Sequence, residues 1–391
     1  MTHEQKYYRI ALLFNANKVY DRGVVEGVGQ YLQVSQSTWD IFVEDDFVYH
    51  RDTIESLSID GIIADFDDPE TVELLQNVKV PIIAVGGSYQ NPAYYPDYPY
   101  VATDNYALVE SAFLHLKQKG INQFAFYGLP TDNERHWANE RRDAFVSLMR
   151  KYEHQSAVYL GDKIHSANWR DAQVKLGEWL QTLPQHTGII AVTDARARHL
   201  LQACEYLKIA VPEQLCVIGI DNEELIQYLS RVSLSSVVQG TKQIGYQAAK
   251  MLHYLLNGQK VGHTPILIPP LKVEQRSSTD YRSLQDPFVI QAMHYIRHRA
   301  CQGIKTEQVL DHLRISRSNL EQRFKEEMNK TIHQVIHEEK LERAKYMLRF
   351  TDISIQEIAE VCGYPSLQYF YAVFRKEYNQ TPKEFREVGR N

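Results

Sequence analysis

The sequence predicts two doubly wound α/β lobes built on parallel sheets, followed by an all-α domain with two helix-turn-helix units. Three observations carry this expectation. Short apolar runs alternate with amphipathic stretches from residue 8 to about residue 275. After residue 286 the alternation stops and only helical periodicity follows. Within that tail, one segment recurs at a constant offset of 50 residues.

The apolar runs come first. "RIALLF" precedes "DRGVVEGVGQYLQ", and "DGIIAD" precedes "DPETVELLQNV". "PIIAVGG" ends in turn residues, and "YVATD" opens "NYALVESAFLHLKQKG". "QFAFYG", "TGIIAVTD" and "LCVIGIDN" continue the series. Runs of four to six apolar residues are too short for helices, while the stretches after them keep a 3.6-residue period. Strand–helix repetition of this kind builds parallel sheets with helices on both faces. About 270 residues of it suits two lobes with a cleft between them, lined by polar residues at strand ends. Pro269, Pro270, Ser277, Ser278 and Pro287 then mark a connector. The expected domains are residues 1–275, a linker at 276–285, and a helical domain at 286–391.

Composition narrows the class. Hydrophobic residues at 44% support true cores and exclude global disorder. The net charge of −6 hides a gradient. Residues 286–391 carry 17 Lys and Arg against 15 Asp and Glu, so an acidic front precedes a mildly basic tail. Cys204, Cys216, Cys301 and Cys362 form no C-x-x-C pair, which argues for buried, reduced thiols and against zinc. "MTHEQKYYRIALLF" lacks the apolar core of a signal peptide, and no run reaches the length of a spanning helix. A cytoplasmic protein with no membrane contact is expected.

The repeat explains the aromatic stretch "YPSLQYFYAVFRKEY". "SRSNLEQRFKEEMNKTI" (316–332) aligns with "SLQYFYAVFRKEYNQTP" (366–382). Leu320 pairs with Phe370, and Phe324 with Phe374. Each copy opens with Ser, a good N-cap, and repeats apolar residues at i, i+4 and i+8. Phe370, Phe374 and Tyr378 are therefore expected in a core rather than on a base-stacking surface. "TEQVLDHL" precedes the first copy, and "SIQEIAEV" precedes the second with a Ser354–Glu357 capping box. "HQVIHEEKLERAKYMLRF" is a longer helix joining the two units.

Residues 286–391 resemble an AraC/XylS-type DNA-binding domain, through "IAEVCGY", "YFYAVFRKEY" and "TPKEFR". Asn329 and Asn379 stand where that family usually has Gly, and Asn tolerates the left-handed conformation there. Ala372 occupies a position that is often basic in the family. In each second helix, the face opposite the buried residues meets the major groove. That face selects Ser318, Glu321 and Gln322 in the first copy, and Leu367, Gln368 and Tyr371 in the second. Gln suits adenine, Glu suits cytosine N4, and Leu suits a thymine methyl. Arg317 and Arg375 are assigned to phosphate or to intramolecular pairing, together with Arg323, Lys325 and Lys376.

Residues 8 to about 275 resemble the sugar-sensing core of LacI/GalR-type repressors, itself similar to periplasmic sugar-binding proteins. "DGIIAD", "ERRDAF", "GIIAVTDARA", "LCVIGIDNEE" and "LSSVVQGTKQIGYQAAKML" carry the likeness. The expected fold class is thus an α/β two-lobed, periplasmic-binding-protein-like sensor plus an all-α double helix-turn-helix domain. Those repressors begin with a helix-turn-helix, whereas here the DNA-reading function is expected at the other end. The resemblance implies sugar contacts at Asp65, Arg141, Asp221 and Gln239, a stacking aromatic at Trp169, and a further contact at Asn15. Asp104 is expected as a helix N-cap, His136, Trp137, Asp67 and Asp68 as loop or site, and Tyr89 as a second aromatic. "LLFNANKVYDRGVVEGVGQYLQ" and "SSTDYRSLQDPFVIQAMHYIR" narrow the resemblance to sugar-operon activators. It then implies D-xylose or a related pentose as ligand, a homodimer on direct repeats of promoter DNA, and RNA polymerase as partner, with no cofactor and no metal. No G-x-S-x-G, Walker A or H-E-x-x-H occurs, so an enzyme is not expected. The alternative is a cytosolic sugar-binding or sugar-processing protein whose helical tail serves assembly.

Overall fold

The computed structural model describes residues 7–35, 37–43, 58–89, 91–131, 135–280, 284 and 286–388. The chain divides into two compact units, 1–281 and 282–391.

The first unit contains two six-stranded sheets. All seven apolar runs form strands: β1 (Tyr8–Leu13), β3 (Gly61–Asp65), β4 (Ile82–Gly87), β5 (Tyr100–Thr103), β6 (Gln123–Gly128), β8 (Thr187–Ala191) and β9 (Leu215–Ile220). Strands buried on both faces read as continuous apolar runs, and β3, β4, β5, β8 and β9 are buried throughout. Five further strands lacked that signal: β2 (Trp39–Phe42), β7 (Ala157–Leu160), β10 (Ser235–Val238), β11 (Ile266–Ile268) and β12 (Lys272–Glu274). Four of them are sheet edges. The orders are β11-β5-β4-β3-β1-β2 and β12-β10-β9-β8-β6-β7. Every pairing is parallel except β10 with β12.

The chain crosses between lobes three times. It leaves the first sheet after β5, returns after β10 to β11, and crosses again to β12. Helices α1 (Val19–Ser35) and α8 (Thr241–Leu256) pack together on the first lobe. Their approach is too close for side chains. A Cβ on Gly27 would lie 2.0 Å from the Lys242 carbonyl oxygen, and one on Gly245 would lie 1.9 Å from that of Val24. Residues 276–279, placed in the linker by their Ser content, instead fold into the second lobe. Ser278 and Thr279 are fully buried. Ser278 Oγ accepts from Ser235 N at 2.8 Å and donates to Val217 O at 2.6 Å, so the polar groups are paired within the sheet.

The second unit is entirely helical over its described residues. Helix α9 (Pro287–Arg299) leads into α10 (Thr306–Leu313) and α11 (Arg317–Met328). Helix α12 (Ile332–Phe350) joins these to α13 (Ile355–Val361), α14 (Leu367–Tyr378) and α15 (Pro382–Val388). Leu320, Phe324, Phe370 and Phe374 are all completely buried, as the repeat requires. Ser354 and Glu357 form the expected capping box, and Ser366 caps α14 through Tyr369 N. Ser316 starts α11 without a side-chain cap bond. Asn329 and Asn379 end α11 and α14 at φ of 53° and 56°, the left-handed conformation that their side chains tolerate.

Candidate functional site

A cleft of about 780 Å³ opens between the lobes of the first unit, at the C-terminal ends of the strands. Asn15, Asp65, Arg141, Asp221 and Gln239 all line it, so five of the six expected sugar contacts converge.

The second lobe supplies a fixed polar wall. Arg141 projects from α4 (His136–Lys151) and is buried. Its Nε donates to Asn105 Oδ1 at 2.9 Å, Nη1 to Val192 O at 2.7 Å, and Nη2 to Gln239 Oε1 at 3.4 Å. Gln239 then donates to Asp221 Oδ1 at 2.6 Å. Asp221 lies 4.0 Å from Arg141 Nη1. Burial pushes its carboxyl up to about 6, and Arg141 pulls the other way. The Trp137 ring stacks on Arg141, 4.9 Å from the guanidinium carbon, and it also lines the cleft.

The first lobe supplies carboxylates. Asp65 ends β3, is 4% exposed, accepts from Asp67 N at 2.9 Å and pairs with Lys18 Nζ at 3.3 Å. Asp21 accepts from Asn15 N at 2.8 Å. Asp67 accepts from Gly87 N at 2.9 Å. Burial and then the charge of Asp65 push Asp21 up to about 8 and Asp67 up to about 7. Asn15 closes an Asx turn, accepting from Asn17 N at 3.0 Å. The two lobes also meet directly, since Arg22 Nη2 pairs with Glu223 Oε2 at 3.3 Å.

Trp169 is a correction. It is 54% exposed at the start of α5 (Trp169–Thr182) and does not line the cleft. It follows β7, the edge strand of its sheet, and residues 165–167 and 169–171 stand in solvent with no strand to cover them. Trp137 and Tyr20 are the cleft aromatics instead. Tyr89 packs against Tyr95, Tyr100 and His136, outside the cleft lining. Asp67 and Asp68 do line the cleft, and His136 does not. Asp104 caps α3 (Asn105–Gln118) by accepting from Ala107 N. Lys18, Asp21 and Glu223 were missed because their residue types are ordinary on helix starts. Only the fold turns those starts toward the cleft.

In the second unit, the second helices of the two helix-turn-helix units, α11 and α14, expose matching positions. Ser318, Gln322 and Gln368 are exposed, as are Arg317 and Arg375. Leu367 and Tyr371 are half-buried, and Leu367 packs against the core. Glu321 is another correction. Its carboxylate accepts from Ile332 N at 3.3 Å and so caps α12 rather than facing outward freely. Gln322 donates to Glu326 at 2.8 Å, and Arg317 pairs with Glu307 at 3.4 Å. Arg323 bonds Asn319 at 2.6 Å and pairs with Asp286, which makes it part of the scaffold. Asn319 and Tyr369 are exposed at equivalent places in the repeat. The 50-residue offset itself could have flagged that pair.

A two-lobed receptor of periplasmic-binding type, on one chain with two helix-turn-helix readers, defines a transcription regulator that senses a small ligand. The family comparisons follow this division. An XylR N-terminal domain matches residues 9–106, a periplasmic binding protein-like domain 113–279, and a helix-turn-helix domain 309–387. The chain is 72% identical to the xylose operon regulatory protein of Haemophilus influenzae, over 98% of this chain and 99% of that one. It is 62% identical to that of Escherichia coli K12, over 98% of each. A solved structure of a xylose-binding transcription activator, xylR, superposes with a TM-score of 0.90 at 61% identity, covering 98% of both chains. The chain belongs to the xylose operon regulatory protein family.

Proposed function

We infer that this chain binds D-xylose in the cleft and, so loaded, activates transcription from promoter DNA as a homodimer that contacts RNA polymerase. The carrying observation is the linked wall Arg141–Gln239–Asp221, which faces Asp65 across the cleft. A pentose presents several hydroxyls a few ångströms apart, each needing a donor or acceptor once it leaves water. Arg141 and the Gln239 amide supply donors, while Asp221, Asp65 and Asn15 supply acceptors. Trp137 offers an apolar face for the ring carbons. The names of the relatives point to the same sugar. Among the described residues no helix is long and apolar enough to cross a membrane.

Two measurements test this reading. Calorimetry against a panel of pentoses and hexoses should give D-xylose the tightest binding. A gel shift on xylose-operon promoter DNA should strengthen on adding xylose and weaken with salt. Equal, weak heats for every sugar would sink the ligand assignment.

A further inference from the structure

Two of the four cysteines meet inside the second unit. Cys301 lies in the turn Ala300–Gln302 that follows α9, and Cys362 closes α13. Cys301 packs against the cluster that holds Cys362, so the two side chains are neighbours. Both pack in one apolar cluster with Leu341, Met347 and Phe370. Their backbones are also adjacent, since a Cβ on Gly363 would lie 2.8 Å from the Cys301 carbonyl oxygen. Cys362 is fully buried with its Sγ 3.9 Å from Met347 Sδ, whereas Cys301 is half-buried.

The surroundings make the pair unequal. Lys340 Nζ donates to Gly363 O at 3.1 Å. The neighbouring Cys362 thiol lowers the Cys301 thiol, burial opposes this, Arg343 and Lys340 lower it further, and Glu339 opposes them. The neighbouring Cys301 thiol and burial raise the Cys362 thiol. A half-buried, cation-flanked thiol beside a fully buried one has the layout of an attacking and a resolving cysteine. Cys204 and Cys216 lie buried in separate core clusters of the first unit.

We propose that Cys301 and Cys362 are a reversible disulfide site, closed by a hydroperoxide and opened by a dithiol. In the first step the Cys301 thiolate attacks the terminal peroxide oxygen. An S–O bond forms, the O–O bond breaks, and the departing oxide takes a proton, leaving a sulfenic acid. In the second step Cys362 attacks the Cys301 sulfur. The S–S bond forms, the S–O bond breaks, and the released hydroxide takes the Cys362 proton as water. The two thiols lose two electrons, and the peroxide gains them. The bridge joins the turn before the first helix-turn-helix to the turn inside the second, so it acts directly on the spacing of the two readers.

The test treats the folded, full-length protein with hydrogen peroxide, then counts thiols after denaturation and maps peptides without reduction. Two of the four thiols should disappear, the intact mass should fall by about 2 Da as two hydrogens are lost, and one peptide pair should link Cys301 to Cys362. Dithiothreitol should restore both thiols. Cys362→Ala should leave a dimedone-reactive sulfenic acid on Cys301, and Cys301→Ser should consume no thiol at the same dose. Four surviving thiols, or a bridge between any other pair or between two chains, would overturn the proposal. The wild-type peptide map decides the matter even if a variant fails to fold.

Discussion

Asp221 holds φ at +122° and Asn222 at +54°, both in the region that side-chain-bearing residues rarely adopt. This turn aims the Asp221 carboxylate into the cleft, where Gln239 fixes one oxygen at 2.6 Å. Asp221→Ala should therefore cost about 2–4 kcal/mol of xylose affinity, on the order of 30- to 1000-fold, through lost charge-assisted bonds. Trp169→Ala, outside the cleft, should leave affinity within about twofold, as should any change at an exposed position off the site. Calorimetry on the two variants checks both, and a large loss at Trp169 would contradict the geometry. The carboxyls also set a pH dependence. With Asp221 accepting from sugar hydroxyls as proposed, affinity should fall as pH drops through about 6, with proton release on binding near that pH. The sugar-free protein should respond in the opposite sense. Asp21 and Asp67 are raised to about 8 and about 7, so the fold favours their protonated forms. The stability they contribute is fully present below the ordinary carboxyl range and is lost as pH rises through about 7 to 8. A thermal midpoint that does not decline across that window would contradict the burial argument.

Among the elements, α11 and α14 are the second helices of the two helix-turn-helix units, and each is held by two buried anchors spaced four residues apart. That anchoring leaves Ser318, Asn319 and Gln322 outward on α11, and Gln368, Tyr369 and Ala372 outward on α14. Ala372 brings no side-chain hydrogen-bonding group, so Gln368 is the base contact proposed for α14. Gln368→Ala should weaken binding by about 1–3 kcal/mol, mainly on sites carrying the cognate base. Arg375→Ala, at an exposed cation, should weaken all sequences alike and reduce the salt slope by about one. Gel shifts on a set of single-base operator variants separate the two. A uniform loss for the Gln change would remove it from base readout. The buried faces of these helices were legible in the sequence because repeated apolar residues must point inward. The role of Glu321 was not, because its bond to Ile332 N depends on how α12 leaves the turn.

Across the whole molecule, ligand can favour DNA binding only if it prefers the DNA-competent arrangement. Arg276 ties the last segment of the first unit to the turn beside the cleft. Arg276 Nη2 donates to Asn222 Oδ1 and Nη1 to Leu234 O, each at 2.7 Å. Asn222 N in turn donates to Ser236 Oγ at 2.9 Å. The turn that presents Asp221 to the cleft is thus bonded directly to the segment that precedes the second unit in the chain. Arg276→Ala should leave xylose affinity within about threefold while removing most of the typical 5- to 150-fold coupling between sugar and DNA. Calorimetry paired with gel shifts, with and without xylose, measures both quantities on one protein. A variant that keeps its full sugar response would place the relay elsewhere.

The sequence by itself determined the two classes of unit, seven of the eight interior strands, the buried faces of the second helix in each helix-turn-helix unit, and five residues that line the cleft. Each is written locally: continuous apolar runs for strands covered on both sides, a 3.6-residue period with N-caps for helices, and polar residues at strand ends for a cleft. Only the tertiary structure decided the rest. It set Trp137 rather than Trp169 against Arg141, and folded Ser277 to Thr279 into the second lobe instead of the linker. It turned Lys18 and Asp21 toward Asp65, and brought Cys301 to Cys362 across 60 intervening residues. These placements depend on which strand ends at a sheet edge and how closely two helices approach. Residue order carries no local mark of either, because both are set by long-range packing.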